Sequence, residues 1–117
     1  MAAAGSSIFY RIAGVSGFVA VVAGAYGAHA PQFMKQEGKI HQKVMETGNL
    51  YHLIHTLGLL AVPFSNRPNL TGGLMCAGMV LFSGSCYLAA ITQNRRNGLL
   101  APIGGVTLMA AWLTLLL

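Results

Sequence analysis

Four histidines stand in a chain that is otherwise poor in groups able to move protons or hold metals. Two of them, His52 and His55, lie three residues apart within Asn49-Leu-Tyr-His-Leu-Ile-His-Thr-Leu-Gly-Leu-Leu-Ala61, and His29 closes an earlier apolar run. Imidazoles in such a setting suit metal ligation, axial ligation of haem, or a proton relay near neutral pH. Carboxylate-bridged metal sites in helical bundles use Glu-x-x-His pairs. Glu46 instead precedes His52 by six residues and His55 by nine, and no acid lies deeper in any apolar run. The structural alternative is that His52 and His55 hydrogen-bond across helices. Candidate partners are Ser83, Ser85, Tyr87 and the backbone near Gly27.

The elements that must carry these groups are long and apolar. Charged residues make up 8% of the 117 residues and apolar ones 55%, against roughly 25% charged in an ordinary soluble domain. Two acids and seven bases leave a formal charge of +5. The bases lie between apolar runs and form no stripe, so they suit the flanks of membrane spans and argue against a nucleic-acid partner. The expected fold is an all-α membrane protein, one domain over 1–117, built as a compact bundle of four transmembrane helices with short loops. The spans are placed at 12–30, 44–63, 70–91 and 99–117, each about long enough for a ~30 Å hydrocarbon core.

In the first span, Ala13, Gly17, Ala20, Gly24 and Gly27 recur at spacings of four and three, which puts them on one helical face. A small-residue face lets a neighbouring helix approach closely, replacing the hydrophobic drive that lipid cannot supply. Gly84 in the third span and Gly104 and Gly105 in the fourth are expected to serve the same packing role. The second span continues a helix that begins in the polar stretch before it, and Pro63 ends it. On a continuous helix from Ile40 to Val62, His41, Gly48, His52 and His55 share an arc of about 60°, so this face looks inward. Antiparallel packing predicts His29 and His52 at similar depth.

A cleaved signal peptide is an alternative reading of the first span, since Ala28-His29-Ala30 has the small-x-small form. A mitochondrial presequence is another, from the acid-free start. Cys76 and Cys86 lie about 15 Å apart on one helix and cannot bond to each other. Nucleotide-binding, hydrolase and zinc-protease motifs are missing, and without a nucleophile–base pair hydrolysis has no foothold. Arg11 and Arg67 fall at one end of the bundle and Lys35, Lys39, Lys43, Arg95 and Arg96 at the other. This favours the five-base side as cytoplasm or matrix.

Gly24-Ala-Tyr-Gly-Ala-His29, Tyr51-His-Leu-Ile-His55, Leu81-Phe-Ser-Gly-Ser85 with Tyr87, and Ala101-Pro-Ile-Gly-Gly105 followed by Trp112 occur in that order. Together they resemble the transmembrane protein 256 family, whose bacterial relatives form domain of unknown function family 423. The resemblance runs over residues 8 to 117 and implies a multi-span membrane protein of bacterial inner membranes and animals, without an assigned activity. A mitochondrial inner-membrane home would follow from the bacterial occurrence. The expected role is a non-enzymatic accessory or scaffolding component with no cofactor and no metal site. Its partners would be the lipid bilayer, other membrane proteins or a second copy of itself. The alternative is a cofactor-binding (haem or metal) or proton-handling protein using His29, His52 and His55. A transporter or channel subunit is a third reading.

Overall fold

Every regular element is a helix in the computed structural model, which describes residues 8–117. The acid-free start on which the presequence reading rests lies largely in residues 1–7, outside the described residues. Helix α1 (Ile8–His29) is followed by a one-turn helix α2 (Pro31–Met34) and a 3₁₀ turn over Gln36–Gly38. Then come α3 (Lys39–Ala61), a 3₁₀ turn at Val62–Phe64, α4 (Pro68–Ile91), a 3₁₀ segment at Arg95–Gly98 and α5 (Ala101–Leu113). A last 3₁₀ turn covers Thr114–Leu116.

The prolines explain most of these boundaries. Pro31, Pro63, Pro68 and Pro102 each stand in the first turn of a helical element, where a missing backbone N–H has no partner to lose. As expected from Pro63, α3 ends at Ala61. The far end of α4 is closed without glycine. Gln93 takes φ 53°, and the amide of Asn94 reaches the Ala89 carbonyl at 3.0 Å, a Schellman-type stop.

Short connections make α1, α3, α4 and α5 successive antiparallel neighbours, with α3 packed on both α1 and α4, and α4 on α5. The reversal between α1 and α3 depends on Gly38, where a Cβ would run into the carbonyl of Gln32. The result is a slab of 49 × 24 × 16 Å.

Its surface is inverted relative to a water-soluble protein. Phe18 and Val80 are each 72% exposed, while His52, His55, Thr56, Thr71, Ser83 and Ser85 are buried. The small face expected on α1 lies towards α3, with Ala13, Ala20 and Gly27 buried, and the bulky row Val15, Val19, Val22 faces out. Two apolar clusters hold the ends of the slab. One gathers Phe9, Leu59, Met75 and Leu108, the other Phe33, Met45 and Ala90. The buried histidines of α3 fall between them.

Each of the four expected spans lands on a helical segment. Three of these, Ile8–His29, Pro68–Ile91 and Arg95–Leu116, are long and apolar enough to cross a membrane by themselves. Helix α3 falls short because Lys39, Lys43 and Glu46 occupy its first two turns and polar side chains continue at Asn49, His52 and His55.

Among the four long helices the tightest backbone approach is between α4 and α5. A Cβ on Gly104 would overlap the backbone of Leu81 and Phe82, whereas one on its neighbour Gly105 meets Phe82 Cδ1 at 3.8 Å, an ordinary contact. Gly104→Ala is therefore expected to cost about 1–3 kcal/mol, as overpacking does, and Gly105→Ala to be near neutral. Thermal unfolding in mild detergent checks the pair; equal midpoints would show that α4 and α5 do not touch at Gly104.

Candidate functional site

Between Asn49 and Thr56 the inward face of α3 is used at every polar position, and the bonds have a direction. Asn49 Nδ2 donates to the Ala20 carbonyl at 2.7 Å and to the Tyr87 hydroxyl at 3.2 Å. The carbonyl can only accept, which fixes the amide orientation. Tyr87, already accepting from Asn49, gives its own proton to His52 Nδ1 at 2.8 Å. His52 therefore carries its proton on Nε2 and donates it to Ser16 Oγ at 2.9 Å. The Ser16 hydroxyl passes on to Thr56 Oγ1 at 2.6 Å, and Thr56 donates to the carbonyl of His52 at 2.7 Å. This tautomer is assigned from the hydrogen-bond pattern. The chain begins at an amide, crosses α3, α4 and α1, and closes on the residue it passed through.

His55 is equally committed. Its Nδ1 lies 2.7 Å from the carbonyl of Tyr51 and must donate to it. That leaves Nε2 as an acceptor, filled by Trp112 Nε1 at 2.9 Å. Neither nitrogen retains a lone pair for a metal. Tyr51 stacks on the His55 ring at 6.0 Å and meets Phe82 at 4.6 Å, so an aromatic wall joins α3, α4 and α5.

His52 and His55 thus face different neighbours, α1 and α4 for the first and α5 for the second. His29 joins neither; it is exposed at the end of α1. The expected common depth of His29 and His52 does not hold. The α1–α3 register pairs Gly27 with Gln42 and Met45, Gly24 with Asn49, and Ser16 with His52. Thirteen residues, about 20 Å, separate His29 from the level of His52. The connector at Pro31–Gly38 sets this offset by letting α3 begin only at Lys39. No group of three or more metal-binding side chains forms among the described residues.

Of the partners proposed for the histidines, Tyr87 is one. Ser83 serves the Gly48 carbonyl at 2.7 Å instead, and the Gly27 carbonyl accepts from Gln42 at 3.0 Å. Ser16, Asn49, Thr56 and Trp112 were missed. A signal for two of them was present: Asn49 and Thr56 lie three and four residues from His52, within one turn of the same face.

The glycines singled out for helix packing differ in what they meet. A Cβ on Gly17 would touch Thr56 at 3.6 Å, on Gly24 the Asn49 side chain at 2.9 Å, and on Gly27 Met45 at 2.8 Å. Gly104 and Gly105 border α4 as described above. Gly84 departs from the expectation, since a Cβ there meets nothing within 4 Å. It faces a groove of about 580 Å³ left where α1 and α4 part from each other.

Similarity to known proteins places this arrangement in a family. The family described as "Protein of unknown function (DUF423)" matches residues 23–105. The chain is 39% identical over 116 residues to the UPF0382 membrane protein YwdK of Bacillus subtilis, covering 91% of this chain and 90% of the relative. It is 37% identical over 118 residues to a UPF0382 membrane protein of Staphylococcus epidermidis, covering 94% and 93%. It is 36% identical over 110 residues to the UPF0382 inner membrane protein YgdD of Escherichia coli, covering 89% and 82%. No solved structure matches the chain.

The His55–Trp112 bond makes a quantitative demand. His55→Leu and Trp112→Phe should each lower stability by about 0.5–2 kcal/mol, and the double variant should cost little more than the worse single one. A double-mutant cycle on reversible unfolding in micelles measures the coupling, expected at about 1 kcal/mol. Strictly additive costs would mean that the pair does not bond.

Proposed function

From the membership of this chain in the DUF423 family, an integral membrane family without an assigned activity, we propose a non-enzymatic role. The chain would be an accessory or scaffolding component whose four-helix bundle crosses the membrane and whose polar seam holds that bundle together. The observation carrying this reading is the saturation of the seam. Both nitrogens of His55 and both of His52 have partners inside the bundle, and among the described residues no buried side-chain nitrogen or oxygen lacks one. A ligand would have to break a bond already made, in surroundings where water cannot replace it. A proton relay needs a path between two surfaces, whereas this hydrogen-bond chain returns to the carbonyl of His52.

Several features support α3 as the fourth crossing. From Leu50 onward its exposed positions include Leu50, Leu53, Ile54, Leu57 and Leu60, and the one polar group among its exposed side chains there is the hydroxyl of Tyr51. It lies alongside α1 and α4, which are long and apolar enough to span unaided. Retention of α1 is favoured by its bonds to α3 through Ser16 and the Ala20 carbonyl, which cleavage after Ala30 would remove. The five-base end favours cytoplasm or matrix. The Escherichia coli relative is named an inner membrane protein, and by analogy this chain would lie in an inner membrane, the mitochondrial one in a eukaryotic cell.

Two measurements check the reading. Purified in mild detergent, the protein should be colourless, free of stoichiometric metal and accompanied by a protein partner or a second copy. His52→Ala and His55→Ala should lower thermal stability without altering the spectrum. A visible chromophore lost on replacing either histidine would sink the structural role, and a solitary monomer would sink the accessory role. For the crossing of α3, single cysteines at Gln36 and Asn66 in a background lacking Cys76 and Cys86 should react with a membrane-impermeant maleimide from opposite sides. Labelling of both from one side would remove α3 from the membrane.

A further inference from the structure

Helices α1 and α4 both lie on α3 but meet each other chiefly at one end, where Phe9 sits under Gly72. Beyond that contact they part. The resulting groove has Val15, Val19 and Val80 on its walls and His52 at its base. A second hollow of about 240 Å³, bordered by Val22 and Ile91, lies beside the first and shares Val19 and Tyr87 with it.

Three properties define the occupant. It must be apolar beside His52, because the polar atoms there already bond to one another and offer nothing. It should be slender, since the groove holds about 580 Å³, within the roughly 300–1,000 Å³ of small-ligand sites. It should also bear negative charge at one end. Arg11 stands at the outer end of the groove and makes no ion pair among the described residues, and Arg67 lies at the same end. Both acidic side chains, Glu37 and Glu46, belong to the opposite half of the bundle.

Length agrees. Eleven residues separate Arg11 from Val22, about 16 Å, close to the half-thickness of a ~30 Å hydrocarbon core. We propose that this groove is a phospholipid site: one acyl chain of an anionic glycerophospholipid lies between α1 and α4, and Arg11 binds its phosphate. Gly84 keeps the wall open for the chain. The site requires α1 and α4 to span the bilayer and does not depend on whether the protein acts as an accessory component.

The test is native mass spectrometry of the detergent-purified protein after incubation with equal amounts of phosphatidylglycerol and phosphatidylcholine. One lipid per chain should be retained, with phosphatidylglycerol favoured about fivefold, the discrimination that one basic residue gives at an anionic surface. Arg11→Gln should abolish the preference while leaving a lipid bound. Gly84→Leu, which fills the groove from α4, should remove either lipid, and Val15→Phe should do the same from α1. Gly14→Leu enters open space on a face of α1 turned roughly 100–140° from Val15 and Val19, and should bind as the parent does. Circular dichroism identifies the variants that fold, and the two filling variants serve independently. Retention unchanged in both, a preference unaffected by Arg11→Gln, no lipid on the parent protein, or a dimer that Gly84→Leu separates would each overturn the proposal.

Discussion

Hydrocarbon offers no partner to a polar group, so every donor and acceptor carried into a membrane must be matched by the protein itself. This bundle follows from that requirement. Helix α3 carries more hydrogen-bonding side chains than its neighbours, and α1, α4 and α5 are arranged so that each supplies what α3 lacks. Ser16 and the Ala20 carbonyl come from α1, Tyr87 from α4 and Trp112 from α5. The seam sits between two apolar clusters, so its bonds form where competing water is scarcest. Such bonds average well under 2 kcal/mol in membrane proteins. Their weight here lies in specifying one register, because a slide of one turn would orphan several groups together.

Close packing completes the arrangement. Where α5 must press on α4, Gly104 removes the side chain that would hold them apart. Where α3 must press on α4, Gly48 does the same against Cys86. Between α1 and α4 the comparable approach comes at one end, where Gly72 admits the ring of Phe9; beyond it none is needed, since both helices are already fixed to α3. The slab is consequently wider on that side than its interior requires, which is the origin of the groove bordered by Gly84.

Much of this was legible in the residues. Proline positions, charge-free runs and the periodicity of small residues located the helices and the buried face of α1, and the arc of His41, Gly48, His52 and His55 marked the inward face of α3. Register between helices was not legible. Periodicity assigns a residue to a face of its own helix and says nothing of how far a neighbour is displaced along the axis. That displacement depends on the path of Pro31–Gly38, in which one glycine fits against the carbonyl of Gln32. Hence His29 was expected beside His52, and Ser16 went unnoticed. Gly84 carries a similar lesson: a missing side chain can mark a close neighbour or an opening, and composition does not separate the two.

The indole of Trp112 is the chain's single tryptophan, and its N–H is bound to His55 across the α3–α5 contact. An indole whose N–H is engaged by a fixed acceptor emits differently from one left in hydrocarbon or moved into water. The molecule therefore contains an intrinsic optical reporter at one defined junction. Departure of the last helix from the bundle would be visible in its emission without any label, while the α1 side of the structure would stay dark to it.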